Sequence, residues 1–365
     1  MAYTTIDDPS AYFQTAIYTG NGSSNAITFD GNSDMQPDFF WGKCRSTSSG
    51  NHLQNSTTGV KPFLVSNSTA AENTDNNNTD FLSYDSDGFT LGASYQTDIN
   101  HNARTYVAWC WKANGGTTTT NDASSTSVGN QDSVYQANTD AGFSIVTWAG
   151  QNQVGTMAHG LGAVPNWIIV KARGGTEGWG VYHHKNTASP ETDHLRLDTT
   201  DATLDSTNVS NDTAPTSSVF TVGDSGIANE NDKTYVAYLF AEKQGYSKFG
   251  SYTANNSTDG PFVYLGFKPA WIMVKNTSAA ADWPITDNKR EVGNPFGEEM
   301  LFANGSDAET SYSGGGIDFV SNGFKIRSSG TNGVHNANNT SHTFIYMAFA
   351  ESPFVSSKGV PTTAR

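Results

Sequence analysis

The sequence contains little that would support disulfide or zinc chemistry. Its 365 residues include two cysteines, Cys44 and Cys110, and neither stands in a paired motif such as CxxC. Two cysteines are too few for a disulfide framework, and without paired spacing they do not form a zinc motif. Both lie beside tryptophans in apolar segments. We expect them to pack as small hydrophobic side chains, with a bridge between the two as the alternative.

Positive charge and long apolar runs are also scarce. The chain has 35 acidic against 20 basic residues, which gives a formal net charge of -15. Such a surface repels phosphate, so we expect no nucleic-acid partner. No run approaches the roughly 20 apolar residues that span a bilayer, so we predict no membrane insertion. The start, Met1 to Ser10, has no basic segment followed by an apolar one. This pattern predicts no signal peptide and synthesis in a cytoplasm.

Signatures of catalysis and metal binding are missing too. No G-x-S-x-G motif stands between a buried strand and a helix, as a serine hydrolase would require. His183 and His184 are adjacent, and neighbouring residues of a strand face opposite sides. The segment Asp85-Ser86-Asp87-Gly88 resembles the start of a calcium loop, but Gln96 stands where the twelfth-position glutamate belongs. We therefore interpret this segment as a turn and predict no catalytic residue, no cofactor and no metal site, with calcium bound elsewhere as the alternative.

What the sequence does contain is an internal repeat in three copies. An apolar segment with a proline at its start and a lysine six positions later occurs at Pro37–Lys43, Pro165–Lys171 and Pro269–Lys275. A second apolar segment follows each of these, at Thr105–Trp111, Thr234–Phe240 and Thr343–Phe349. The separation is 62 residues from Lys43 to Thr105, 63 from Lys171 to Thr234, and 68 from Lys275 to Thr343. This near-constant spacing indicates duplication. We call the two kinds of segment the proline strands and the closing strands.

Further strands complete each copy. Opening strands precede the proline strands at Phe13–Gly20, Phe143–Gly150 and Phe249–Thr253, and segments with alternating polarity lie at Gly88–Gly92, Val219–Gly223 and Gly323–Arg327. Alternation with a period of two predicts half-buried strands, whereas the nearly continuous apolar segments belong at the centre of a sandwich. The clearest helix candidate is Ser68–Glu72, which has a capping-box spacing. We therefore predict an all-β fold of three tandem, jelly-roll-like β-sandwich modules with polar linkers and almost no helix.

The repeat also predicts the domain boundaries. The modules are expected at residues 11–116, 141–243 and 246–351, with modules two and three packed as a rigid pair. Residues 1–10 form an N-terminal segment. Residues 117–140 have the Thr, Ser, Asn and Gln composition of a flexible linker. Residues 352–365 form a C-terminal tail that is extended or docked on a neighbour.

Several long segments carry a family resemblance, namely Thr5–Gln14, Asp85–Gly92, Tyr106–Ala113 and Glu242–Tyr252. With these segments the sequence resembles repeat-containing virion structural proteins, tail-fibre-like or capsid-decorating, of tailed phages of marine bacteria. The likeness covers nearly the whole chain. It implies synthesis in the host bacterial cytoplasm, a place on the virion surface as a tail fibre, head fibre or capsid decoration, contacts with other phage virion proteins, and no enzymatic activity.

Three aromatic residues are candidates for recognition. Trp179, Tyr182 and Trp283 come soon after the proline strands of modules two and three. A flat ring can stack on the apolar face of a sugar and loses little entropy in doing so. We predict that these residues begin the next core strand, with a contact between their rings and a host surface glycan or an interface as the alternative.

The N-terminal segment is the candidate anchor to the particle, through Tyr3, Ile6, Tyr12 and Phe13. We expect a homo-oligomer, a trimer for a fibre or spike, because symmetric assembly covers unpaired sheet edges. The first hypothesis for function is a non-enzymatic virion structural protein. The alternatives are a host-attachment protein that binds a cell-surface glycan through loops of modules two and three, and a polysaccharide depolymerase, whose paired carboxylates a β sequence does not reveal.

Overall fold

The fold consists almost entirely of antiparallel strands. The computed structural model describes residues 3–74, 79–93, 96–291, 293–296, 299–311, 316–328 and 341–362. Residues 1–2 of the predicted anchor segment and residues 363–365 of the predicted tail lie outside this range. The helices in these described ranges are one α-turn, α1 (Ala123–Thr126), and two 3-10 turns, Pro9–Ala11 and Pro190–Thr192.

The strands fall into three sets that follow the sequence repeat. Module one contains β1 (Phe13–Thr19), β2 (Asn25–Ile27), β3 (Phe39–Cys44), β4 (Asn51–Asn55), β5 (Gly59–Val65), β6 (Asn73–Thr74), β7 (Phe81–Asp85), β8 (Gly88–Leu91) and β9 (Thr105–Trp111). Module two contains β10 (Thr119–Asn121), β11 (Ser133–Asn138), β12 (Phe143–Ala149), β13 (Gly155–Ala158), β14 (Trp167–Ala172), β15 (Trp179–His183), β16 (Asp193–Arg196), β17 (Leu204–Asp205), β18 (Val219–Val222) and β19 (Thr234–Phe240). Module three contains β20 (Ser247–Thr253), β21 (Phe262–Tyr264), β22 (Phe267–Asn276), β23 (Pro284–Asp287), β24 (Glu299–Phe302), β25 (Thr310–Ser311), β26 (Ile317–Val320), β27 (Gly323–Ile326) and β28 (Thr343–Pro353).

Each module has a main sheet and a small sheet. The main sheets have the orders β1-β9-β3-β4-β5-β6, β12-β19-β14-β15-β16-β17 and β20-β28-β22-β23-β24-β25, so the closing strand always lies between the opening strand and the proline strand. The small sheets are β2-β8-β7, β13-β18 and β21-β27-β26. The predicted all-β fold of three sandwich modules is therefore confirmed.

The main sheets are buried on both faces, which explains their nearly continuous apolar strands. Along the closing strand of module one, Tyr106, Ala108 and Cys110 face a core that belongs to this module alone. The alternate residues, including Trp109 and Trp111, face a core shared by all three modules. The same alternation holds in β19 and β28.

The shared core lies where the three main sheets meet. Trp111, Phe240 and Phe349 stand at the same place on the three closing strands, as the pairing with the proline strands shows. Their ring centroids are 6.2 Å apart for Trp111 and Phe240, 5.5 Å for Trp111 and Phe349, and 5.9 Å for Phe240 and Phe349. One ring from each module therefore meets the other two around a common axis.

The predicted flexible linker, residues 117–140, is wrong as a description of this segment. It forms β10, α1 and β11, which add two strands to the opening edge of the main sheet of module two. The polar residues make specific contacts here. Gln136 accepts from the backbone N–H groups of Asn114 and Gly116 and donates to the Ser56 and Thr57 hydroxyls, so it ties the segment to module one.

The predicted helix at Ser68–Glu72 is also wrong, because the segment has no helical residues. Its backbone groups bond to module two instead. The Thr69 carbonyl accepts from the backbone N–H of Glu177, and the backbone N–H of Glu72 donates to the Arg173 carbonyl. Contacts with a neighbouring module therefore override the local capping-box preference.

The cysteines and the acidic turn are placed as the sequence predicted. Cys44 and Cys110 are buried and free, so the alternative of a bridge between them is wrong. Asp85 and Gly88 flank a tight turn between β7 and β8, with Gly88 at a φ of 105°, where glycine is favoured. The Asp85 carboxylate accepts from the Ser83 and Thr90 hydroxyls, at 2.6 Å each, so it is used within the hairpin.

Candidate functional site

The contacts between modules repeat three times, and a buried lysine lies at the centre of each. Lys43, Lys171 and Lys275, the repeated lysines of the proline strands, are all 0% exposed. Each ammonium donates to the backbone carbonyl six residues later in its own module, at Ser49, Glu177 and Ala281. Each also donates, at 2.9 Å, to a carbonyl of a neighbouring module, at Ser306, Thr69 and Thr200 respectively. We call each such arrangement a lysine clamp.

A backbone hydrogen bond reinforces every lysine clamp. The carbonyl that accepts from the lysine also accepts from a backbone N–H of the lysine's own module: Ser49 to Ser306 at 2.7 Å, Glu177 to Thr69 at 2.9 Å, and Ala281 to Thr200 at 2.8 Å. Module one thus binds module three, module two binds module one, and module three binds module two. Equivalent head-to-tail contacts that close after three steps define a pseudo-threefold ring within one chain.

The clamp lysines are charged at neutral pH although they are buried. Burial lowers the pKa of each to about 8, with nearby carboxylates, such as Asp198 and Glu177 around Lys171, opposing the shift. A pKa near 8 leaves the ammonium mostly protonated at pH 7, and hydrogen bonds from a charged donor are stronger than neutral ones. Two backbone carbonyls accept from each buried ammonium, which has three N–H donors.

Two of the predicted recognition residues lie inside these interfaces. Trp179 is paired across the sheet with Lys171, and the register of β22 and β23, continued by two residues, places Trp283 opposite Lys275; the two ammonium groups lie 5.8 and 5.4 Å from the rings. The Trp179 indole N–H donates to module one at the Ser68 carbonyl, at 3.1 Å, and that of Trp283 donates to module two at 2.9 Å. Both rings are fully buried.

The predicted place in the next core strand is confirmed for Trp179 and Tyr182, which lie in β15, and Trp283 directly precedes β23, whereas the glycan alternative is wrong for all three residues. Tyr182 is 5% exposed and packs in the core that belongs to module two alone. Stacking on a sugar needs an open ring face, which neither this ring nor the two buried tryptophans offers. Trp179 and Trp283 are interface residues between modules of one chain, and their equivalent in module one is Asn51, whose amide donates to module three at the Gly305 carbonyl at 2.9 Å.

The predicted anchor residues also make their contacts within the chain. Ile6 and Phe13 are buried in the shared core, and the Phe13 ring lies 4.9 Å from that of Trp111. The Tyr12 ring packs edge-on against Tyr246, with centroids 5.9 Å apart. These contacts fasten the N-terminal segment to the modules; Ile6 and Phe13 are buried, whereas Tyr12 is partly exposed.

Tyr3, the fourth predicted anchor residue, is docked on module three. Its hydroxyl donates to the Gly266 carbonyl at 2.8 Å. Nearby, Asp7 accepts from the backbone N–H of Ser357 at 2.6 Å, so the N-terminal segment lies beside the C-terminal tail. The tail therefore docks on this chain's own N-terminal segment.

Within the described ranges, equivalent ion pairs join two of the three interfaces. The equivalent pairs are Arg45 with Glu309, at 2.6 Å between modules one and three, and Arg173 with Glu72, at 2.7 Å between modules two and one. At the third interface the corresponding residues are Thr277 and Thr203, which keep the matching backbone hydrogen bond, at 3.1 Å, without charged side chains. The three interfaces therefore share backbone hydrogen bonds with the same direction and equivalent partners, but their side chains differ in charge.

The structure gives no geometry for a metal centre in the ranges it describes. No group of three or more His, Cys, Asp or Glu side chains there is arranged to hold a metal ion. His183 is buried with its ring edge-on to Trp167, and the His184 ring hydrogen-bonds to the Phe249 carbonyl at 2.9 Å. The adjacent histidines thus make separate contacts.

Sequence reasoning missed two features. The sequence shows the clamp lysines as a charged residue repeated at one position of three apolar strands, but this pattern alone does not indicate what the lysines bind. The second feature is a pair of half-exposed aromatic residues on β21, Phe262 and Tyr264. Its signal was the alternation Phe262-Val263-Tyr264 directly after the turn residues Gly260 and Pro261.

Fold and interfaces together define an all-β protein in which three sandwich modules form a closed ring within one chain. The chain belongs to the family described as Domain of unknown function (DUF7483), whose family model matches residues 8–353. No curated protein matches it in a sequence comparison. Within the described ranges, no helix has the length and apolar character needed to cross a membrane.

Proposed function

We propose that this chain is a non-enzymatic structural protein on the outer surface of a bacteriophage particle, as a capsid decoration, a head fibre or a tail-fibre-like appendage. The observation that carries the proposal is the closed ring of three modules around one shared core. The sequence resemblance to phage virion proteins suggests the location, the surface of a phage particle. The ring gives a physical reason why such a chain suits that location.

A pseudo-threefold chain presents three similar surfaces around one axis. Particles built from identical subunits have positions of threefold symmetry, where three equal neighbours meet. A ring of three modules can contact all three neighbours in nearly the same way. One folded chain could therefore occupy such a position without first assembling from separate subunits.

Rigidity and charge support the same role. The lysine clamps and the shared core fix the modules relative to one another, so the chain has one persistent shape. Its net charge of -15 keeps a repeatedly displayed protein soluble and limits nonspecific contact with nucleic acid and anionic surfaces.

The assembly state distinguishes two versions of the proposal. A homotrimer was expected from the sequence, but the chain supplies a threefold arrangement by itself, which favours one chain at each position. Light scattering during gel filtration should give the mass of a single chain, 39.0 kDa. A stable trimer in solution would support the fibre or spike version instead.

The main test is location. Peptide mass spectrometry of purified particles of the encoding phage should detect the chain, and electron cryomicroscopy of those particles should show it on their outer surface. A genetic deletion should remove that density and leave the rest of the particle assembled. If the chain is absent from purified particles, or lies inside the capsid, the proposal is wrong.

A further inference from the structure

The outer side of module three carries two aromatic rings that the fold leaves half exposed. Phe262 is 49% and Tyr264 48% exposed on β21, and Val263 between them is buried in the core of the module. Successive residues of a strand face opposite sides, so Phe262 and Tyr264 share one face. The other large hydrophobic side chains exposed in the described ranges are aliphatic: Ile17, Val154, Val164, Leu204 and Val360.

Comparison of the modules shows that the sandwich does not require rings at these positions. Phe262 pairs with Lys325, and the same register in module two places Thr156 opposite Thr221. The register of module two places Ala158 where module three has Tyr264. In module one the corresponding residues are Ala26 and the following alternate residue, Thr28. Two of three copies thus build the same small sheet without aromatic residues at these two positions.

Polar groups surround the two rings. The Tyr264 hydroxyl lies 3.2 Å from that of Tyr3, and the Lys248 ammonium lies 5.3 Å from the centre of the Tyr264 ring. Beside Phe262, Lys325 forms an ion pair with Asp259 at 2.7 Å. The surface therefore combines flat apolar faces with hydroxyl, ammonium and carboxylate groups, and Lys248 is left as one positive charge beside the neutralised pair of Lys325 and Asp259.

The size of this surface favours a small occupant. An aromatic side chain offers roughly 150–250 Å², so two half-exposed rings present on the order of 200 Å². A stable protein interface needs about 800 Å² from each partner. The ring pair is therefore too small for a protein partner by itself, whereas one or two sugar rings would cover it.

We propose that Phe262 and Tyr264, with Tyr3 and Lys248 at their edge, form a binding platform for a neutral carbohydrate. The apolar C–H face of a pyranose would stack on the rings, and its hydroxyls would bond to the surrounding polar groups. A neutral ligand fits because Lys325 is neutralised by Asp259 and the chain as a whole repels polyanions. This inference is independent of where on a particle the chain resides.

The repeat offers a matched variant for the test. Phe262→Thr combined with Tyr264→Ala copies the residues of module two, so the small sheet should fold as its counterpart does. The measurement is the retardation of the full chain in native gels that contain xylan, laminarin, dextran or mannan, with alginate as an acidic control. Thermal unfolding of each variant reports on folding independently.

The expected result is retardation of the wild-type chain by at least one of the four neutral polysaccharides, and none by alginate. The double variant should lose affinity by about tenfold or more while its unfolding temperature stays close to that of wild type. Phe262→Tyr, which keeps a ring, should bind, and Leu204→Ala should behave as wild type.

Three results would overturn the platform: no retardation of the wild type in any neutral gel, equal retardation of the double variant, or retardation by alginate alone. If the wild-type chain self-associates in gel filtration and the double variant does not, the rings form a protein contact, and the carbohydrate proposal is wrong.

Discussion

Replacement of Trp111 by alanine tests whether the three modules unfold as one unit. The side chain is buried in the shared core and its ring contacts rings of all three modules, among them Phe13, Phe240 and Phe349. Removal of a buried aromatic ring of this size costs about 3–5 kcal/mol. Because those contacts cross module boundaries, we expect one cooperative transition that moves as a whole to lower temperature.

The assay is differential scanning calorimetry, with the ratio of calorimetric to van't Hoff enthalpy as the measure of cooperativity. Stepwise transitions of which only one moves in the variant would refute the shared core as the element that unites the modules. A loss well under 2 kcal/mol would likewise contradict the tight packing described above.

Trp111→Phe is the matched control, since phenylalanine occupies the equivalent positions 240 and 349. The indole N–H of Trp111 has no hydrogen-bond acceptor within the described part of the chain. Its removal therefore sacrifices no hydrogen bond and relieves a buried, unsatisfied donor, a state that costs about 1–3 kcal/mol. The smaller ring leaves some space, so we expect a change within about 1.5 kcal/mol of wild type in either direction.

Three further predictions concern charge. The folded-state pKa of Lys171, about 8, lies below its ordinary value of 10.5. Between these two pH values the unfolded chain binds more protons than the folded chain, so the free energy of unfolding should rise with pH there. Lys171→Met should reduce this slope, as measured by urea titrations at several pH values. Burial likewise lowers the pKa of His52, His159 and His194 to about 4. The free energy of unfolding should therefore fall as the pH drops from 6.5 towards 4. Equal urea midpoints at pH 7 and pH 5 would contradict this. Finally, a double-mutant cycle of Arg173→Thr and Glu72→Thr, which copies the third interface, should give a coupling of about 1 kcal/mol, and a value near zero would mean that the ion pair adds nothing.

The strands were predictable because each repeat contains the same apolar segments at nearly the same spacing. The ring was not. In β3, Phe39 and Trp41 face the other modules while Phe40 faces the module's own small sheet. A run that is apolar on both faces predicts a doubly covered strand, but it does not tell which element covers each face.

The contacts at the site were unpredictable for the same reason. Trp179 and Trp283 were predicted to begin the next core strand, with a glycan or interface contact as the alternative, from their place soon after the proline strands. Their rings are covered by another module, which no local pattern reveals. The polar segment 117–140 was misjudged for a related reason, since polar composition is shared by flexible linkers and by edge strands whose side chains bond to a neighbour.

The meeting of Asp7 and Ser357 means that the ring has no structural beginning or end. The N-terminal segment and the C-terminal tail lie side by side, and each module touches both of the others, so the packing does not require one particular order of modules along the chain. A circularly permuted chain that connects these two segments through a short glycine-rich link and starts at Gly245, between modules two and three, should form the same ring. Evolution could in this way have exchanged or altered one module at a time while the other two preserved the architecture.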